Sequence, residues 1–170
     1  MKKLFAILLT VAMLASMATV ASAASTTTLT TTVPAASYTL NIPADQEIDF
    51  GDTYADIGEL TVANASGFAE GKNLKVTISY SDFACEDVST TIPISVYANY
   101  ENLFGNGTVI SSGDALVFKG HSNGTVLPNK DNAGNNLNYL AVAVSSTDWG
   151  KALAGDYSAT ITFTAEVVAE

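Results

Sequence analysis

Apolar and polar residues alternate with a period of two through most of this chain. The clearest run is YSATITFTAEVV, in which Tyr157, Ala159, Ile161, Phe163, Ala165 and Val167 fall on one face and Ser158, Thr160, Thr162, Thr164 and Glu166 on the other. Extended backbone sends successive side chains to opposite faces, so the run predicts a half-buried antiparallel strand with its β-branched threonines on the wet side. At about 3.3 Å per residue it spans roughly 36 Å, the full height of a sandwich. Tyr157, Ile161 and Phe163 are its expected structural anchors, and Ile161→Asp is the substitution expected to do most harm, because it drives an unpaired carboxylate into the core.

The same period recurs upstream. Tyr38, Leu40 and Ile42 share a face, as do Leu60 and Val62, and LKVTISY points Leu74, Val76, Ile78 and Tyr80 inward. In IPISVYA the inward set is Ile92, Ile94, Val96 and Ala98, with Pro93 marking an edge or bulge because it has no N–H to donate. Leu116 and Phe118 make a short strand, and Tyr139–Val144 is apolar on both faces, as a central strand is. Turn formers separate these runs: Gly51-Asp52, Ser66-Gly67, Glu70-Gly71, Asn106-Gly107 and Ser112-Gly113-Asp114. No long amphipathic helical pattern interrupts them. The expectation is an all-β, antiparallel, two-sheet sandwich, immunoglobulin-like, of about seven to nine strands.

The start of the chain follows a different rule. Lys2 and Lys3 precede an apolar stretch from Leu4 to Leu9, and Ala21-Ser22-Ala23 supplies small residues for cleavage, the three parts of a secretory signal peptide. Residues 1–23 are therefore expected to be removed, 24–36 (ASTTTLTTTVPAA) to form a threonine-rich flexible leader, and 37–170 to form the sandwich. The protein is expected outside the cell, either free or held non-covalently at its surface, with no membrane insertion after cleavage.

Charge narrows the partners. The chain has 7 Lys and Arg against 17 Asp and Glu, a net charge of −10, and every one of its cations is a lysine. Such a balance repels phosphate backbones and anionic lipid, which argues against nucleic-acid and membrane-surface binding. The single cysteine, Cys85, is flanked by Glu86 and Asp87, which disfavour its thiolate and leave it as a buried or idle thiol. The single histidine, His121, lies in a loop without a partner at fixed spacing, so no catalytic constellation is assigned and the chain is read as non-enzymatic.

Three groups of residues remain as candidates. Trp149 in a polar loop, with Tyr97 and Tyr100 flanking Asn99, could stack on sugar rings or a peptide, or Trp149 could simply close one end of the sandwich. Asp45, Asp49, Asp52 and Asp131 could hold extracellular calcium or be solvated turn carboxylates; calcium is the one cofactor considered. Leu153–Tyr157 looks like the tyrosine corner of immunoglobulin-like modules, in which the ring closes an inter-sheet turn.

Three stretches carry a family resemblance: YTLNIPADQEIDFG (38–51), LTVANASGFAEGKNLKVTISY (60–80) and AGDYSATITFTAEV (154–167). Together they resemble the WxL-type cell-wall-binding and immunoglobulin-like surface proteins of Gram-positive bacteria. The resemblance implies a β-sandwich attached non-covalently to peptidoglycan. The family's Trp-x-Leu motif is absent; Phe68 stands near the place of the first such tryptophan and Phe163 near that of the last strand. The leading expectation is a non-catalytic surface or matrix protein binding wall glycan or another envelope protein. The alternatives are a filament subunit that self-associates by strand addition and, last, a small glycan hydrolase.

Overall fold

The computed structural model describes residues 29–31, 35–99, 107–130 and 137–170. Val33–Glu170 form one compact unit. The expected signal segment, most of the expected leader, Tyr100 and Asp131 lie outside the described residues.

The strands are β1 (Ser37–Asn41), β2 (Tyr54–Glu59), β3 (Thr61–Ser66), β4 (Lys72–Tyr80), β5 (Phe83–Cys85), β6 (Val88–Ile92), β7 (Ser95–Asn99), β8 (Thr108–Ile110), β9 (Ala115–Lys119), β10 (Tyr139–Ala143) and β11 (Ile161–Ala169), with one short helix, α1 (Ser146–Trp149). Every ladder is antiparallel. The fold is all-β, as the period-two pattern predicts. In place of about seven to nine strands in two sheets, however, the described residues hold eleven strands in four sheets: β2-β10-β7-β8, β11-β4-β9, and the pairs β1-β3 and β5-β6.

The two larger sheets share one core. Leu74, Val76 and Ile78 of β4 and Leu116 and Phe118 of β9 belong to the same buried cluster as Val96 and Ala98 of β7, Ile110 of β8, and Leu140 and Val142 of β10. Apolar faces of two sheets meeting in one cluster give the unit its sandwich character. The inward sets expected for β4, β9 and β7 all point into this cluster, and β10 is a central strand between β2 and β7.

Pro93 explains part of the extra count. The run read as one strand is two: β6 ends at Ile92 in a ladder with β5, and β7 resumes at Ser95 in the four-stranded sheet. Between them Ile94 turns its N–H to the Asp82 carboxylate at 3.2 Å. A residue that cannot donate is well placed where the chain leaves one ladder for another. Ile42 also departs from expectation, being 55 % exposed because β1 ends one residue earlier.

Candidate interaction site

In the two larger sheets four strands stand at an edge, and three of them are covered or cut short. The far side of β9 is met by the following segment, where Leu127 donates its N–H to the Lys119 carbonyl at 2.7 Å and the Asn129 side-chain oxygen accepts from Val117 N–H at 3.2 Å. On β2 the register breaks at a bulge that contains Ile57, whose carbonyl accepts from the Gln46 side-chain amide at 3.0 Å. β8 is only three residues long, and its Ile110 carbonyl accepts from the Tyr80 hydroxyl at 2.9 Å. Short strands, bulges and side-chain caps are the usual ways an edge is kept from pairing with another chain.

β11 has none of these. It runs nine residues in unbroken register from Ile161↔Tyr80 to Ala169↔Lys72, and among the described residues no strand pairs with its far side. About half of its backbone N–H and C=O groups therefore face outward. It contains no lysine, proline or bulge, and its one charge, Glu166, is bonded to Lys75 on β4 at 3.1 Å. The side chains alternate as expected as far as Ala165, while Val167 is 42 % exposed.

An apolar cleft of about 280 Å³ lies beside the first half of this edge. One wall is Ala159, Ile161 and Phe163; the other is the β1–β2 loop with Ile42 and Ile48, and Phe83 and Ile94 are also in the lining. Gln46 belongs to the same lining, so the side chain that caps β2 also holds the loop against the cleft. The result is a gap beside the β11 edge, walled mainly by apolar side chains, with Asp45 and Gln46 as the polar members of its loop wall.

The residues singled out from the sequence fall in several places. Ile161 and Phe163 line the cleft, half-buried. Trp149 is 9 % exposed: its indole N–H donates to the Asp52 carbonyl at 2.8 Å and its ring packs edge-on to Phe50 at 5.3 Å. It sits on α1, whose N-cap Ser145 accepts from Asp148 N–H, and so ties that helix to the β1–β2 loop. Tyr97 is half-buried on the face of its sheet turned away from the core, 6.2 Å from Tyr54 and opposite Ala141. Asp45, Asp49 and Asp52 are exposed on the β1–β2 loop, Asp45 also lining the cleft, and no three carboxylate, imidazole or thiol groups among the described residues come together as a metal site would need.

The tyrosine-corner bond expected of Tyr157 is not seen among the described residues. The Tyr157 hydroxyl is buried without a hydrogen-bond partner, whereas Tyr80 makes the inter-sheet bond, from β4 to Ile110 on β8. A corner tyrosine is defined by its hydroxyl closing onto backbone, and Tyr157 has no such acceptor. Cys85 is buried, and a methyl group added at Gly155 would stand 2.7 Å from its sulfur. His121 accepts weakly, at 3.4 Å, from Asn123 N–H within its own turn.

Sequence reasoning missed Gln46, Phe83 and the openness of the β11 edge. The period-two pattern identifies a strand but is silent about which strands flank it. The lack of Lys and Pro in ITFTAEVVA marks a strand not blunted against pairing, without saying which flank is open. No family model, curated protein or solved structure matches this chain.

Proposed function

We propose that the chain is an exported, non-catalytic surface module that captures an extended polypeptide segment by adding it as a strand to β11. The observation that carries this reading is the bare nine-residue edge lying against an apolar cleft. Strand addition draws affinity from main-chain hydrogen bonds and specificity from pockets for alternate side chains, and both elements are present together here. Export rests on the basic head, apolar run and Ala-Ser-Ala exit of the first 23 residues. Among the described residues no helix is long and apolar enough to cross a membrane.

Hydrogen exchange on the processed chain, with and without a cell-envelope fraction, tests the proposal. New protection is expected on the outward amides of Ile161–Ala169 and on the cleft-side backbone of the β1–β2 loop. Binding to the envelope fraction with β11 amides unprotected would remove strand addition as the mode.

A second reading has its own support. Tyr54 and Tyr97 lie side by side on the outer face of the four-stranded sheet, over the small side chain of Ala141. Aromatic rings above a flat floor suit a sugar ring, in keeping with the wall glycan implied by the resemblance. Pull-down on purified peptidoglycan that Tyr97→Ala abolishes would favour this face over the β11 edge.

A further inference from the structure

We infer that the strand received by β11 is the threonine-rich leader of a second copy, residues 26–33, so that copies join head to tail. This inference rests on the strand-addition reading above and names its partner.

The leader has the composition of a donor strand. Thr26-Thr27-Thr28-Leu29-Thr30-Thr31-Thr32-Val33 is β-branched at every position but Leu29, carries no charge or glycine, and is followed by Pro34, which cannot extend a ladder. Period two puts Leu29 and Val33 on one face, about 13 Å apart and alternating with Thr27 and Thr31, and threonines only on the other. Leu29 is 91 % exposed, a large apolar side chain open to water. The apolar face matches the cleft walled by Ile161 and Phe163. The threonine face would continue the wet row of Thr160, Thr162 and Thr164, and cross-strand threonine pairs are favourable neighbours.

Electrostatics permits this contact where it discourages others. Two copies of a chain with net charge −10 repel each other across most of their surfaces. Residues 24–36 carry no charged side chain, and the only charged side chain on β11 is paired with Lys75.

The place where the leader joins the sandwich favours a neighbour's edge over its own. The Ala35 carbonyl lies against Gly67, so closely that a methyl there would come within 2.9 Å of it. Gly67 in turn abuts Gly124, in the turn that follows β9. Ala35, the described residue that follows the donor segment, therefore lies near the turn after β9, on the β9 side of the three-stranded sheet and away from the bare side of β11. A donor on one side and an acceptor on the other make a heterologous contact, which propagates into an open chain when the rotation does not close.

Mass measurement by light scattering on the processed chain, beginning at Ala24, tests the inference through two variants. Leu29→Asp/Val33→Asp spoils the leader and leaves the sandwich sequence untouched, and Thr162→Lys/Thr164→Lys charges the acceptor edge. Wild-type protein should at least double in weight-average mass between about 1 and 100 µM, a range that brackets a micromolar contact. Each variant alone should stay monomeric, with wild-type circular dichroism and Trp149 emission. An equimolar mixture should form 1:1 dimers and nothing larger, because one good leader and one good edge make a single junction.

Dimers that persist in the leader variant would mean that β11 pairs with β11 and would overturn the inference. A monomeric wild type whose β11 amides lose protection in the leader variant would assign the leader to its own edge and also overturn it. Monomers in every mixture, together with envelope-dependent protection of β11, would overturn the second copy as partner while leaving strand addition intact. Without that protection both would fall.

Discussion

The Tyr80 hydroxyl donates to the Ile110 carbonyl at 2.9 Å and thereby joins the sheet containing β4 to the sheet containing β8. Both groups are partly buried, so the bond is worth about 1 kcal/mol net, and more if the carbonyl is left unpaired. Tyr80→Phe should lower unfolding stability by about 1–2 kcal/mol in a urea melt. Tyr157→Phe should cost about zero or stabilise slightly, since it removes a buried hydroxyl that has no partner. A larger loss at Tyr157 than at Tyr80 would reverse the assignment of the bridging tyrosine.

The pH dependence should be read at Trp149, the only tryptophan in the chain. The Asp148 carboxylate accepts from Lys151 Nζ at 2.9 Å and from Ser145 Oγ at 2.6 Å. The Lys151 bond first and the Ser145 bond second hold its carboxyl below the ordinary value of 3.8. A carboxyl depressed in the folded state adds stability above its unfolded value, and that contribution is lost as pH falls through the lower folded value. Trp149 emission should therefore be flat from neutral pH down to the ordinary carboxyl range and change only on further acidification. Asp148→Asn should remove that acid transition from the emission and weaken α1 at neutral pH. An unchanged acid transition in Asp148→Asn would place its origin elsewhere.

Gly120 follows β9 at a crowded corner. A methyl added there would run into the carbonyl oxygen of Lys72 and come within 2.6 Å of that of Ala69. Both obstacles are backbone, which side-chain rotation cannot move aside. Its own N–H is held by the side-chain oxygen of buried Asn73 at 3.2 Å. Gly120→Ala should cost about 3 kcal/mol or more by forcing backbone shifts in a packed region. Gly71→Ala, at a positive φ of 84° but with open space around it, should cost only about 1 kcal/mol. Thermal melts of the pair separate steric from conformational cost.

What was legible in the sequence was local. The inward faces of β4, β7 and β9 follow from alternation alone, because each strand is buried on one side and the pattern records that side. Neighbour relations were not legible, since no residue in ITFTAEVVA says that β4 lies on one flank and solvent on the other. Pro93 was read as an edge or bulge but proved to be the step from one ladder to another. Leu153–Tyr157 has the letters of a tyrosine corner, yet bridging needs an acceptor from a distant segment, and one such acceptor, Ile110, faces Tyr80. The candidate site was hidden for the same reason: the cleft brings together residues from the β1–β2 loop, β5 and β11, and no spacing along the chain encodes that meeting.

Ile78 and Ile161 separate the core from the edge. Ile78 is fully buried at the centre of its sheet, in register with Phe163. Ile161 is half-buried on the cleft wall beside the open edge, where an aspartate can turn toward water. Ile78→Asp leaves a carboxylate with neither water nor partner and should abolish cooperative folding, since the desolvation cost is comparable to the whole stability of a domain, about 5–15 kcal/mol. Ile161→Asp, the substitution the alternation alone marks as most damaging, should instead keep a cooperative melt with a loss of about 1–3 kcal/mol. It should also abolish strand capture, because the cleft wall would carry a charge against an apolar side chain. Two measurements on one variant, a melt and exchange protection of β11, decide the matter. Unfolding by Ile161→Asp would place that residue in the closed core and deny the cleft its role.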